Sequence, residues 1–253
     1  MPIQHDFSDL SVLVTGAGRG LGSSVSEKLG SCGATVGLLD IDAANCEAIA
    51  ARIRDAGGRA FAYATDVADR GAFAAAAERF AAERGRIDAV VNNAMLLRYE
   101  PIEKVTDEVL DRMLGIGIKG SVWGAQMLLA HMDAERGGAI VNMASPVAER
   151  GYPNTAIYSL VKGAIVTLTK ALATELGPRR VRVNAVAPGS VPTPGAMGLN
   201  DEAEYARRAR TIPLRRLGRE EDNAEAVAWL LSPEASFING EILHVDGGIA
   251  AAG

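Results

Sequence analysis

The sequence predicts an α/β fold, a parallel sheet covered by helices on both faces, and three observations carry that expectation. Short runs rich in Val, Ile and Leu alternate with Ala-rich amphipathic stretches from one end of the chain to the other. The apolar runs carry little in/out alternation of polarity, the pattern of strands buried on both faces. Glycines stand where the helices should stop, at Gly57-Gly58, Gly137-Gly138 and Gly177-Pro178.

In chain order the strand candidates are Val12–Val14, Thr35–Leu39, Ala60–Tyr63, Ala89–Val91, Ala139–Asn142, Val181–Val186 and Ile242–Val245. Between them lie helix candidates near 21–30, 43–56, 70–84, 106–134, 157–176 and 220–232. No internal repeat, low-complexity tract or linker divides the 253 residues, so a single domain spanning 1–253 is expected. The segment 188–213 holds Pro188, Pro192, Pro194 and Pro213 with several glycines and reads as one long irregular loop. A loop of that length in a compact domain is usually functional, and a substrate lid near 190–213 is the expectation.

Composition excludes several classes. A net charge of −5 gives no electrostatic footprint for nucleic acid. No apolar stretch is expected to reach the ~20 residues of a membrane span. The opening Met1–Phe7 lacks a charged segment followed by an apolar core, so no signal peptide is read there. Cys32 and Cys46 form neither a disulfide framework nor a Cys-x-x-Cys site, and a reduced, cytoplasmic protein is the expectation. His5, His131 and His244 are scattered without metal-ligand spacing, so no metal is expected.

Two local patterns carry chemistry. The first strand runs into Thr15-Gly16-Ala17-Gly18-Arg19-Gly20-Leu21-Gly22, and a helix follows. Glycines there let the backbone approach a pyrophosphate, which sits on the positive end of the helix. Asp40 closes the second strand and is placed to accept hydrogen bonds from the adenosine ribose, although a turn or helix-cap role would place a carboxylate there too. A carboxylate repels a 2′-phosphate, and Ile41 beside it is uncharged, so NAD is expected over NADP; Arg19 in the glycine loop is the opposing signal.

The second pattern is Ser145, Tyr158 and Lys162. A phenol titrates near ~10, too high for a general base at neutral pH. A lysine one helical turn away stabilises the phenolate, and a serine hydroxyl beside both can hold the oxygen of an alcohol or carbonyl. An isolated Tyr-x-x-x-Lys pair would look the same on a solvated helix face; the glycine loop is what lifts it above that.

With these residues, the chain resembles the short-chain dehydrogenase/reductase family over about residues 10–248. The matching pieces are Thr15–Gly22, Asp66-Val67, Asn92-Asn93-Ala94, Ser145, Tyr158-x-x-x-Lys162, Asn184–Gly189 and Asp246-Gly247-Gly248. The resemblance implies a Rossmann-like, doubly wound sheet of seven parallel strands with its site at their carboxyl ends. It implies that Gly16, Arg19, Gly20 and Leu21 bind the pyrophosphate region, Asp40 and Ile41 the adenosine ribose, and Asp66 and Val67 the adenine. Asn92, Asn93 and Ala94 would line the middle of the cofactor, and Pro188, Gly189, Val191 and Thr193 its nicotinamide end. Tyr158 would be the catalytic acid/base and Ser145 would orient the substrate oxygen. Lys162 would bind the nicotinamide ribose and lower the Tyr158 pKa. A homotetramer is implied as well, with helices near 106–134 and 157–176 packing across two-fold interfaces; Ala156, Ala164 and Ala171 would allow close approach, or would pack on the chain's own sheet.

Two positions depart from the family pattern. Met95 follows Asn93-Ala94 where a glycine is usual, and Gly117 stands where a helix asparagine usually completes a proton relay. The expected activity is an NAD(H)-dependent interconversion of a secondary alcohol and a ketone on a small or medium organic substrate. The alternative is a cofactor-binding sensor of the same fold that has lost turnover. Substrate-lining candidates are Met95, Leu96, Pro146, Val147, Tyr152, Met197 and the 194–212 segment, with Arg98 or Arg150 available to an acidic substrate group or simply solvated.

Overall fold

The computed structural model describes residues 5–196 and 201–252. Seven strands form one parallel sheet, β1 (Ser11–Thr15), β2 (Thr35–Asp40), β3 (Arg59–Ala64), β4 (Ala89–Asn92), β5 (Gly138–Met143), β6 (Val181–Pro188) and β7 (Ile242–Val245), in the order β3-β2-β1-β4-β5-β6-β7. Every strand candidate from the sequence lies inside one of them. Residues of β1 show why polarity does not alternate: Val12 and Val14 pack on one face of the sheet, and Leu13 between them packs on the other. Both faces are dry, so both sets must be apolar.

One face is covered by α1 (Gly20–Ser31), α2 (Ala43–Asp55) and α8 (Glu220–Leu231), through Val25, Leu29, Ile49, Ile53, Val227 and Leu230. The other is covered by α3 (Arg70–Arg84), α5 (Gly120–His131) and α6 (Ala156–Leu176), through Phe73, Phe80, Leu128 and Leu176. Local chemistry fixes the helix starts. Asp42 accepts from the amide of Asn45 at 3.0 Å at the head of α2, and Asp69 accepts from the amides of Gly71 and Ala72 at the head of α3.

The helix expected over 106–134 is interrupted. It comprises α4 (Asp107–Leu114), a π-helical turn at Gly115–Lys119, and α5. The segment 188–213 is not one irregular loop either, because α7 (Glu202–Thr211) lies within it. The prolines flank that helix, and Asp201 caps it by accepting from the amide of Glu204 at 2.7 Å. Met197 lies outside the described residues.

The segment Ala156–Arg179 is long and apolar enough to cross a membrane by length and composition, against the expectation that no such stretch exists. Val161, Ile165, Thr169, Ala173 and Leu176 form its buried face. Ala156 and Ala171 are exposed and Ala164 partly so, and Leu160 is 53% exposed. The alanines therefore do not pack on the chain's own sheet.

The strand order reverses between β1 and β4, and the chain leaves both strands on the same edge of the sheet. The glycine loop follows β1 and Asn93-Ala94 follows β4. In an open α/β sheet that crevice is where ligands bind.

Candidate active site

The glycine loop is shaped from inside the protein. Thr15 Oγ1 accepts hydrogen bonds from the amides of Asn93 at 2.9 Å and Ala94 at 3.0 Å. Asn93 returns the contact, its Nδ2 donating to the carbonyls of Thr15 at 2.9 Å and Gly16 at 3.0 Å. Gly16 has φ +63, a conformation that disfavours any side chain. A Cβ on Gly22 would overlap the Gly16 carbonyl and stand 2.5 Å from Asn93 Nδ2.

Beyond the loop runs a groove of about 370 Å³, lined by Gly16, Arg19, Gly20, Leu21, Asp40, Ile41, Asp66, Val67, Asn93, Ala94 and Thr193. Asp40 is fixed at its end, with Oδ2 accepting from the Gly18 amide at 2.8 Å and Oδ1 from the Asp42 amide at 3.0 Å. A Cβ on Gly18 would stand 3.0 Å from Asp40 Oδ2, so the carboxylate approaches the loop only because glycine is there. Ile41 is 67% exposed at the groove's edge. Asp66 is paired with Arg112, whose Nη1 lies 2.6 Å from Oδ2. Burial raises the Asp66 carboxyl, but the Arg112 bond and the Ala68 amide outweigh it and hold the group below its ordinary value.

Asn92 does not reach the groove. Its side chain is buried in the sheet, donating to Asn142 Oδ1 at 2.9 Å and, at 3.4 Å, to the Ser121 carbonyl. Strand alternation is the reason: Asn92 and Asn93 are neighbours, and only one of them can face the crevice.

A second cavity, about 180 Å³, adjoins the groove, and Leu21, Asn93, Met95 and Thr193 border both. Ser145, Tyr158 and Lys162 line it together with Pro188, Gly189 and Val191. Ser145 stands just past β5, while Tyr158 and Lys162 project one turn apart from the start of α6. Lys162 Nζ donates to the Met143 carbonyl at 2.5 Å and lies 5.6 Å from the centroid of the Tyr158 ring. Lys162 is 5% exposed, and burial brings its ammonium down to about 8.

The Tyr158 phenol is raised above its ordinary value, contrary to the lowering expected from Lys162. Burial is the first cause and the neighbouring phenol of Tyr99 the second, with the Ser145 hydrogen bond pulling the other way. The Tyr99 and Tyr158 rings meet edge to face, 5.5 Å between centroids at 62°.

Of the expected lining residues Met95 borders this cavity; Leu96 borders the cofactor-side groove instead, and Pro146, Val147 and Tyr152 do not line the cavity. Neither proposed arginine reaches it. Arg150 donates to the Ile249 carbonyl at 2.6 Å, and Arg98 pairs with Glu100. The expected 194–212 segment contributes Ala196, Tyr205 and Arg208 to the cavity, while Tyr99, from the β4–α4 connection, was not foreseen.

The π turn carries the second departure. The Gly117 carbonyl accepts from Ser121 Oγ at 2.7 Å, and a Cβ on Gly117 would overlap Val161 Cγ1. The helix is therefore distorted at this position with glycine in place of the usual asparagine.

A family profile described as Enoyl-(Acyl carrier protein) reductase matches residues 16–250. The cis-4-hydroxycyclohexanecarboxylate dehydrogenase of Sinomonas cyclohexanicum is 38% identical over 246 residues, covering 97% of this chain and 98% of the relative. The cyclopentanol dehydrogenase of Comamonas sp. strain NCIMB 9872 is 36% identical, covering 96% and 98%. The crystal structure of the 3-ketoacyl-(acyl-carrier-protein) reductase of Brucella melitensis complexed with NADH superposes with a TM-score of 0.88 at 36% identity, covering 95% and 98%. The sheet order, the glycine loop, the Ser145–Tyr158–Lys162 cavity and these matches along the whole chain place the protein in the short-chain dehydrogenase/reductase family.

Proposed function

We propose that this protein is an NAD(H)-dependent oxidoreductase that interconverts a secondary alcohol and a ketone on a small or medium organic substrate. The observation that carries the reading is the convergence of Ser145, Tyr158 and Lys162 on a cavity that opens into the glycine-lined groove. Two relatives named for cyclic alcohols support the substrate class, and a structural neighbour that holds NADH supports the cofactor class.

The groove suits a dinucleotide, because it runs from the glycine loop at the head of α1 to the Asp40 carboxylate at the end of β2. Gly16, Arg19, Gly20 and Leu21 would hold the pyrophosphate at the start of α1, Asp40 and Ile41 the adenosine ribose, and Asp66 and Val67 the adenine. Asn93 and Ala94 would border its middle, and Pro188, Gly189, Val191 and Thr193 the nicotinamide end. When bound, a nicotinamide supplies the acceptor or donor of the hydride. Asp40 favours NAD, since a 2′-phosphate beside that carboxylate would meet direct repulsion; Arg19 is exposed and opposes it only weakly.

The chain's own groups handle the proton. The Tyr158 phenolate takes the proton from the alcohol oxygen in oxidation, and the phenol so formed returns it to the carbonyl oxygen in reduction. The Ser145 hydroxyl holds that same oxygen in reach. The Lys162 ammonium would offset part of the burial cost of a phenolate and offer a donor to the nicotinamide ribose. The exposed alanine face of α6 supports a homotetramer, and a cytoplasmic location follows as part of the same reading.

The test is NADH formation by the purified protein over a panel of cyclic and open-chain secondary alcohols, read by absorbance. Turnover of at least one supports the reading. Tight NAD binding with no turnover of any of them would sink it and favour the sensor.

A further inference from the structure

We propose that Arg208 selects substrates carrying a carboxylate, so that the alcohol or ketone handled here is that of a compact organic acid. The proposal rests on the oxidoreductase reading and adds the charge class of its substrate. Arg208 projects from α7 into the cavity that holds Ser145, Tyr158 and Lys162. Glu204, one turn earlier, is shared between two guanidiniums. It accepts from Arg207 Nε at 2.7 Å and Nη2 at 2.8 Å, and from Arg208 Nε at 2.7 Å.

One carboxylate between two arginines leaves a positive charge in excess, and the geometry assigns it to Arg208. Arg207 spends its fork on Glu204 and is mostly exposed, whereas Arg208 contributes only Nε and is half as exposed. Among the described residues the terminal amino groups of Arg208 donate to nothing. A guanidinium with its outer edge free matches a carboxylate in the plane, two N–H groups to two oxygens.

The rest of the cavity agrees. Among the described residues no aspartate or glutamate lines it, so nothing inside competes for the cation. Lys162 gives one donor to the Met143 carbonyl and stands at the Tyr158 end of the cavity. Tyr99 and Tyr205 also line it, and a small cavity of about 180 Å³ bordered by rings, with Arg208 on the α7 side and Lys162 at the catalytic end, suits a ring or short chain ending in an acid.

Calorimetry with cyclohexanecarboxylate and the uncharged cyclohexanecarboxamide, in the presence of NAD, tests the assignment on the wild type, Arg208→Gln and Arg208→Lys. The wild type should bind the carboxylate about 10–100-fold more tightly than the amide. Arg208→Gln should lose that preference while still binding the amide, and Arg208→Lys should keep part of it. Equal affinity of the wild type for both ligands overturns the proposal. So does an equal loss of both ligands in Arg208→Gln with a lowered melting temperature, which would make Arg208 a scaffold residue. Turnover of 4-hydroxycyclohexanecarboxylate and cyclohexanol is measured alongside. If neither is oxidised the oxidoreductase reading fails for this class of alcohol, while the calorimetric preference still decides the role of Arg208.

Discussion

The sulfur of Met95 lies 3.1 Å from the point a Cβ on Gly117 would occupy. The two departures from the family pattern are therefore one packing arrangement: a bulky thioether after β4 fills space beside a helix position that has given up its side chain. Val161 fills the remainder, overlapping the same point. Interiors are packed to crystal density, so a side chain at Gly117 requires a neighbour to move, while glycine at Met95 would leave a void.

Gly117→Asn should accordingly destabilise by about 1–3 kcal/mol through overpacking against Val161 and Met95. Turnover should fall or change only modestly, since the π turn already exists and the Gly117 carbonyl is intact. Adding Met95→Gly should recover part of the stability, measured by thermal melting as a non-additive double-mutant cycle. A hundredfold gain in rate on introducing asparagine would mean that the native relay is broken.

Tyr158→Phe removes the proton-transfer group and leaves the groove untouched. We expect kcat to fall ~10²–10⁴-fold with NAD affinity nearly unchanged, read by steady-state kinetics and fluorescence titration. Because burial raises the phenol, alcohol oxidation by the wild type should accelerate with pH well into the alkaline range, and ketone reduction, which needs the protonated form, should not.

Lys162 makes a pH signature in stability. Its folded value is about 8 against 10.5 for the ordinary side chain. Between these values the unfolded lysine holds a proton that the folded one has released, so stability must rise with pH there. Below about 8 both forms are charged and the burial cost is paid in full. Denaturant melts of wild type and Lys162→Met should show the wild type gaining on the variant as pH climbs through that window, and a flat difference would remove the claim.

Asp40 both faces the groove and accepts the Gly18 and Asp42 amides. Asp40→Ser should weaken NAD and relax discrimination against NADP, read as the ratio of kcat/KM for the two cofactors. A wild type that already prefers NADP would show the carboxylate to be a loop anchor alone.

The exposed alanines of α6, with Leu160 beside them, should be covered in solution by a second copy. Light scattering should give a tetramer at micromolar concentration, and Ala171→Glu should reduce it to smaller species. A monomeric wild type would refute the assembly.

The sheet was legible in the sequence because strands dry on both faces write themselves as short apolar runs without alternation, as Val12-Leu13-Val14 of β1 does. The glycine loop and Tyr158-x-x-x-Lys162 were legible because chemistry fixes their spacing. Three features were not. Asn92 carries the same residue type as Asn93, and only the pleat separates the buried one from the one at the crevice. The helix α7 was obscured by prolines that flank it without interrupting it. Arg208 looked like any solvated arginine until α7 was folded over the cavity, since nothing local distinguishes it from Arg207.

The buried pair Asn92 and Asn142 has one more consequence. These residues stand opposite each other in the register of β4 and β5, and Asn142 continues the chain by donating to Thr169 Oγ1 at 2.9 Å. Strands that are apolar on both faces have little to tell one alignment from the next, for a slip by one residue exchanges valine for isoleucine. Here the same slip would set two amides against hydrocarbon with nothing to bond. The asparagines thus act as a key between the two strands, admitting one alignment of β5 and with it one position for Ser145 at that strand's end.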